Sequence, residues 1–302
     1  MRCDKGLTMP ELPEVETVRR GLEPILIGNE FARVEQRRKD LRFPLPKGFS
    51  ERLEGRTVEA LDRRAKYLLA RLDDGAVLVM HLGMTGRFAI DHANGATGKL
   101  GLFARATADI PKHEHVVFHM RDGTAIRYSD TRRFGLMDLV QGKELSRHAL
   151  FKGLGIEPLS PSFTPDWLAG KLKGKKTSIK AALVDQRLIA GLGNIYVCEA
   201  LFGAGISPKR LAGTLATTAG RPTAKTRALV EAIKSVLNEA IRAGGSSLRD
   251  YKRADGSLGE FQHRFKVYGR EGKPCAKKGC GGTVRRIVQG GRSTFFCPTC
   301  QT

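Results

Sequence analysis

The sequence predicts an α+β protein: an N-terminal helix packed on a β-sandwich or barrel, then a helical region, then a small four-cysteine hairpin. Three observations carry this expectation. Apolar Val15, Val18 and Leu22 recur at spacings of three and four, the period of one buried helix face. From about Phe31 to Val140 the pattern changes to short β-like runs separated by turn signals. At the far end, Cys275-x4-Cys280 and Cys297-x2-Cys300 bracket a strand-like hairpin.

The first helix is expected over Glu14–Leu22, with Gly21 and Pro24 helping to end it. Ala76–Met80 and His115–Met120 read as strands, and Arg121-Asp122-Gly123-Thr124 as the turn leading into Ala125–Tyr128. A Pro/Ser-rich stretch, Glu157–Pro165, marks a boundary. Beyond it Ala224–Ile241 places Leu229, Val230, Ile233, Val236, Leu237 and Ile241 on one helical face, and Gly244-Gly245 ends that helix. Ser246–Phe261 is polar, contains glycine and shows no period, the composition of a functional loop. Thr283–Val288 and Ser293–Phe296 then form the hairpin, with Gly290-Gly291-Arg292 as its turn.

At 302 residues the chain has room for about two domains and an appended small module. Its 52 Lys and Arg against 31 Asp and Glu give a formal charge of +21. Such an excess points to a polyanionic partner, because cations that neutralise phosphates release counterions and bind in a salt-dependent way. No apolar run approaches the roughly 20 residues that span a bilayer, and residues 1–8 lack the apolar core of a secretory signal. A reducing, cytoplasmic setting is the expectation. There, six cysteines suggest metal more than disulfides.

Four motifs carry chemistry. The strongest is the set Cys275, Cys280, Cys297 and Cys300, which presents four thiolates for one tetrahedral zinc. With all four positions taken by protein sulfur, no site is open to water, so the zinc folds the hairpin and does not catalyse. Cys3 and Cys198 stand apart from the set. Gly191-Leu192-Gly193-Asn194-Ile195-Tyr196 reads as a glycine turn before a helix, either a plain cap or a phosphate site. Lys173, Lys175, Lys176 and Lys180 offer mobile charge beside it. Lys66, in Arg63-Arg64-Ala65-Lys66-Tyr67, opens a strand. His81–Gly86 and Asp130–Gly135 hold Met84 and Phe134 between glycines and arginines, as ordinary core or as wedges between base pairs. Pro10-Glu11, finally, is inert inside a chain. At a free N-terminus the proline is a secondary amine that can attack an aldehyde-like carbon.

Taken in order, these residues resemble the formamidopyrimidine-DNA glycosylases, bacterial base-excision repair enzymes. Met9-Pro10-Glu11-Leu12-Pro13-Glu14-Val15-Glu16-Thr17 matches the family's N-terminal signature. Arg64–Tyr67, His81–Gly86, Arg132–Gly135, Gly193–Tyr196 and the cysteines follow in register, so the likeness spans Met9 to Gln301. It implies an N-terminal helix plus β-sandwich domain (9–145), a helix–two-turn–helix domain (146–265) with a lesion loop (246–261), and a zinc finger (266–302). Residues 1–8 are then an extension absent from the mature enzyme.

The resemblance further implies double-stranded DNA with oxidised bases or abasic sites as partner, a monomer, and a bacterial cytoplasmic, nucleoid-associated setting. Pro10 is the nucleophile and Glu11 the general acid; Lys66 is a second proton donor, and Arg292 serves δ-elimination. His113, Arg132 and Lys175 contact DNA, with Asn194 and Lys180 as further phosphate ligands. Met84, Arg132 and Phe134 fill the gap left by the extruded base, and Glu14 helps to position the damaged nucleotide. Two departures stand out: four residues within the first cysteine pair, where many relatives have two, and Thr131 where proline often precedes Arg-Arg-Phe. The alternatives are the sister endonuclease VIII, against which Leu12 argues because that branch usually has glycine there, and a non-catalytic damage-binding protein should the extension stay attached.

Overall fold

Two four-stranded antiparallel sheets carry the N-terminal half in the computed structural model, which describes residues 9–92, 111–246 and 261–302. In chain order the elements are α1 (Leu12–Leu26), β1 (Phe31–Gln36), α2 (Phe49–Leu53), β2 (Val58–Arg64), β3 (Tyr67–Leu72), β4 (Ala76–His81), β5 (Gly86–Asp91), β6 (Glu114–Met120), β7 (Ala125–Asp130) and β8 (Leu136–Gln141). One sheet runs β1-β6-β7-β5 and the other β2-β3-β4-β8. A single apolar core draws Phe88, Phe118 and Tyr128 from the first sheet and Leu68, Leu78 and Met80 from the second. The arrangement is the sandwich alternative.

Helix α1 adds Val15, Val18, Leu22 and Leu26 to that core and packs on β2 and β3. It starts earlier and ends later than its sequence suggests, running through Gly21 and Pro24. Pro24 removes one helical N–H, but it sits in the last turn, where Ile27 N–H still bonds Glu23 O at 3.1 Å. Burying Leu26 outweighs the lost bond, so packing overrides the local stop signal.

The other unit comprises Gly153–Arg242 and His263–Thr302. It contains α3 (Pro165–Leu172), α4 (Ile179–Val184), α5 (Asn194–Gly203), α6 (Ala224–Arg242), β9 (Arg285–Gln289) and β10 (Arg292–Phe296). Pro165 thus opens a helix: Thr164 Oγ1 caps α3 by accepting Trp167 N–H at 3.1 Å. Helix α5 is buried from Ile195 to Leu201, apolar nearly all round. Its one carboxylate, Glu199, is satisfied by the N–H groups of Lys266, Val267 and Tyr268 at 2.8–3.0 Å. In α6, Leu229, Val230, Ile233 and Leu237 are buried as expected; Val236 and Ile241 lie at the edge of the face, where Thr226 and Ala240 are buried instead.

The segment Ala243–Gln262 groups with the N-terminal unit, and not with α6 before it or His263–Thr302 after it. Its described start explains why. Glu14 Oε1 accepts both Ser246 N–H and Ser246 Oγ–H at 2.8 Å. The polar loop expected over 246–261 falls, for residues 247–260, outside the described residues.

Candidate active site and nucleic-acid interface

Pro10 and Glu11 sit at the N-terminal end of α1, both buried, with Glu11 only 3% exposed. Glu11 is the N-cap and Glu14 the third helical residue of a capping box, in which Glu14 Oε2 accepts the Glu11 N–H at 3.1 Å. Two carboxylates therefore lie where the helix dipole favours negative charge. Because Glu14 also holds Ser246, the backbone around Glu11 is fixed from two sides.

Lys66 is 6% exposed and belongs to the two-residue turn Ala65-Lys66, between the paired residues Arg64 and Tyr67, and not to the strand itself. Ala65 has φ +54°, a left-handed conformation that costs a non-glycine residue of the order of 1 kcal/mol or more. The turn is tied to α1. Glu16 Oε2 accepts from Arg63 Nε at 3.2 Å, and Arg63 Nη1 donates to Ala65 O at 2.9 Å. Beside it His81, at the end of β4, packs against the Tyr67 ring with the two planes tilted by 50° and their centres 4.9 Å apart. Burial, together with the Lys66 and Arg42 cations, pushes the His81 imidazole down to about 4. Its Nδ1 accepts the Gly83 N–H at 2.9 Å, so the neutral ring is the one the loop uses.

The loops holding Met84 and Phe134 are neighbours. A Cβ on Gly83 would fall 2.3 Å from the Phe134 carbonyl carbon, and one on Gly135 would fall 1.9 Å from the Tyr128 hydroxyl. Only glycine allows this approach. Phe134 is 42% exposed, large for an apolar ring, and the Arg132 guanidinium covers it at 4.6 Å from the ring centre. Met84 is half-buried. His113 is half-buried too, immediately before β6.

In the helical unit, Gly193 is the N-cap of α5 and Asn194 its first residue, with no side-chain cap on the helix. Lys173, Lys175 and Lys176 are exposed. Lys180 is not: it is 2% exposed, and its Nζ lies 3.5 Å from Gln289 O. Asn194 Nδ2 donates to Ser293 O at 2.9 Å. Lys180 and Asn194 thus grip the hairpin on either side of Gly290-Gly291-Arg292. Both glycines have positive φ, +56° and +72°, so the turn is glycine alone, and exposed Arg292 is the first residue of β10, paired with Gln289.

The four cysteine sulfurs lie within 4.8 Å of one another, with Cys275–Cys300 and Cys280–Cys297 each at 3.7 Å. A zinc–sulfur bond of about 2.3 Å sets tetrahedral sulfurs about 3.8 Å apart, so the set fits one structural zinc. The thiols resist ionising together. Burial and three neighbouring sulfurs push Cys300 up; burial also opposes the Cys297 thiolate, but backbone N–H groups of Cys300 and Thr299 hold it down at about 7. A divalent cation relieves that conflict. Gln301 anchors the finger, accepting Cys297 N–H at 2.7 Å and donating to Ile206 O at 2.9 Å.

Three family matches cover this geometry: the Formamidopyrimidine-DNA glycosylase N-terminal domain over residues 9–137, its H2TH domain over 154–252, and the zinc finger found in FPG and IleRS over 272–302. Formamidopyrimidine-DNA glycosylases of Beijerinckia indica and of Chelativorans are 59% and 58% identical, each match covering 97% of this chain and 100% of the relative. The chain belongs to the formamidopyrimidine-DNA glycosylase family. Among solved structures, a Lactococcus lactis FPG mutant with Fapy-dG-containing DNA matches at TM-score 0.81 and 34% identity, over 97% of this chain and 100% of that one. The wild-type Lactococcus lactis protein with oxidised-pyrimidine DNA matches at TM-score 0.79 and 34% identity, with the same coverage.

Within this glycosylase, Pro10, Glu11 and Lys66 fall in one unit, as do Met84, His113, Arg132 and Phe134; Lys175, Lys180, Asn194, Arg292 and the four cysteines fall in the other. Lys180 departs from the mobile surface charge expected of it: it is buried, and its ammonium faces the hairpin backbone. The sequence reading missed His81 as more than a motif flank. The spacing His81-x-Gly83, a histidine two residues before a glycine, was the available signal.

Proposed function

We propose that Pro10, freed as an N-terminal amine, carries the chemistry of this DNA-formamidopyrimidine glycosylase and AP lyase. The enzyme removes oxidised purines such as 8-oxoguanine and formamidopyrimidines from double-stranded DNA. The amine attacks the anomeric carbon, the base leaves, and Glu11 protonates the oxygen of the opening sugar ring. The resulting iminium acidifies the adjacent sugar proton, and loss of that proton expels the 3′ phosphate by β-elimination. A second proton loss expels the 5′ phosphate by δ-elimination, served by Arg292. Lys66 is the second proton donor.

The observation that carries this reading is the buried pair Pro10-Glu11, held by the Glu14 capping box on a helix that the Glu16–Arg63 bridge ties to the Lys66 turn. His113, Arg132, Lys175 and Asn194 hold the phosphate backbone, the last at the positive end of α5, which no side chain caps. Met84, Arg132 and Phe134 fill the vacated stack, offsetting the few kcal/mol that base extrusion costs. The zinc on Cys275, Cys280, Cys297 and Cys300 shapes the finger and takes no part in proton transfer. The enzyme works as a monomer in the cytoplasm, on the nucleoid; no helix among the described residues is long and apolar enough to cross a membrane.

The chemistry requires that Met9 and everything before it be absent from the active enzyme, because an acylated proline has no lone pair to give. Borohydride trapping on 8-oxoguanine:cytosine duplex, with the intact mass of the trapped protein, tests both points. A covalent adduct on a chain beginning at Pro10 is expected. Full activity of a chain that retains Met1 would defeat the assignment of Pro10. Thymine-glycol duplex run alongside ranks the purine preference against that of the endonuclease VIII branch.

A further inference from the structure

We infer that Asp130, acting through Thr85, is the positioning residue of the base-extrusion wedge: it locks the Met84 loop to the Arg132–Phe134 loop before DNA is bound. The inference rests on the wedge reading given above for Met84, Arg132 and Phe134. Asp130 ends β7 and is wholly buried, at 0% exposure, although a carboxylate in that position must be fully satisfied to be tolerated. Its donors come from both loops. Oδ1 accepts the Thr85 hydroxyl and, at 3.3 Å, the Arg132 N–H. Oδ2 accepts the Gly135 N–H at 2.8 Å and the Tyr128 hydroxyl at 3.5 Å. All four donors are neutral, so the carboxylate organises backbone instead of pairing with a cation.

Thr85 closes the link. Its hydroxyl donates to Asp130 and its oxygen accepts the Arg132 N–H at 3.0 Å, so one side chain next to Met84 fixes the backbone at Arg132. Asp130 also contributes its carbonyl, which meets His115 Nε2 at 2.8 Å and Arg133 N–H at 3.3 Å. Arg133 needs such support. It has φ +55°, a left-handed conformation unusual for arginine, and this reversal between Arg132 and Phe134 leaves both neighbouring side chains exposed on the loop. Residues held in strained backbone persist only where their surroundings determine them, and here Asp130 supplies that determination. The Arg42 N–H, bonding Gly135 O at 2.9 Å, fixes the far side of the same loop.

A wedge held in place before binding pays no ordering entropy on insertion, which is where a side chain that makes no contact with the lesion can influence the rate. The role is therefore confined to extrusion. Covalent attack and elimination at a sugar that already lacks its base do not draw on it.

The test compares Thr85→Val, which removes the hydroxyl at nearly constant shape, with Thr85→Ser, which keeps it, and with Asp130→Asn. Each is assayed for single-turnover excision from 8-oxoguanine:cytosine duplex and for borohydride trapping on a single-stranded abasic oligonucleotide, which has no stack to fill. Thr85→Val and Asp130→Asn are expected to slow duplex excision tenfold or more while single-stranded trapping stays within twofold, and Thr85→Ser to restore duplex excision. Phe134→Ala is run in parallel. If it leaves duplex excision unchanged, the wedge reading itself fails. If it slows excision and Thr85→Val does not, the wedge reading stands and the inference about Asp130 and Thr85 is overturned. Equal losses of Thr85→Val on both substrates, with a lowered melting temperature, also overturn it, because they assign the pair to general folding.

Discussion

Two helices of this protein begin in opposite ways. Helix α1 opens on its own carboxylates, with Glu11 at the N-cap and Glu14 reaching back to the Glu11 N–H. Helix α5 opens on Gly193 and Asn194 with no side-chain cap at all. Each N-terminus carries the same partial positive charge and N–H groups that find no partner within the helix itself. In the first that field is spent internally, on holding an acidic group buried and fixed beside Pro10. In the second no side chain answers that field, and Lys173, Lys175 and Lys176 of the same unit are exposed. The same contrast runs through the units around them: one holds Glu11, Lys66 and Asp130 buried, the other leaves Lys173, Lys175, Lys176 and Arg292 exposed.

That division predicts separable defects. The largest belongs to Glu11→Gln, which keeps the shape of the capping helix but removes the transferable proton. Base release should fall about 10²–10⁴-fold, while gel-shift affinity for the same 8-oxoguanine duplex stays close to that of the parent. Normal turnover by this variant would remove Glu11 from its role, and a matching loss of affinity would erase the contrast between the two helix starts.

Next in size is Cys297→Ser. Three thiolates and a hydroxyl hold zinc poorly, and the hairpin that carries Arg292 is organised by the metal, so zinc content and DNA affinity should fall together. Metal analysis beside a binding isotherm checks this. Full zinc content in the variant would sink the four-thiolate site. A smaller effect is expected of Asn194→Ala at the start of α5: about tenfold in affinity, roughly 1.5 kcal/mol for one hydrogen bond to a charged group. Excision at saturating enzyme should be little changed. Affinity of all forms should fall steeply with salt.

How much of this was legible in the sequence follows the same divide. The cysteine spacing, the β-runs and the α6 period depend on local pattern, and the chain folds as that pattern dictates. The capping of α1 was legible in principle, since Glu11-x-x-Glu14 is a capping-box spacing. The extension of α1 through Pro24 was not, because it depends on Leu26 finding the sandwich core. Lys180 misled for a related reason. In sequence it continues a run of exposed lysines, and only the fold reveals that its turn of α4 faces the hairpin. Asp130 was legible only in part: three of its four donors lie within five residues, but Thr85, which makes the link to the Met84 loop, stands 45 residues away, and a carboxylate with neutral donors has no charge pattern to betray it.

The smallest predicted effect concerns His81 and probes how dry the chemical side is. An ordinary histidine protonates near 6.5, but burial first, then the Lys66 and Arg42 cations, pushes His81 down to about 4. As pH falls below about 6.5 the unfolded chain therefore takes up this proton before the folded chain does. The contribution of neutral His81 to stability is fully present above that pH, drains away between about 6.5 and 4, and is constant below. His81→Asn keeps an acceptor for the Gly83 N–H but cannot titrate. Its melting temperature should consequently drop less between pH 7 and pH 5 than that of the parent, with the difference between the two curves as the readout. Parallel curves would mean that His81 is hydrated in solution, and that the ground beside Lys66 is not dry.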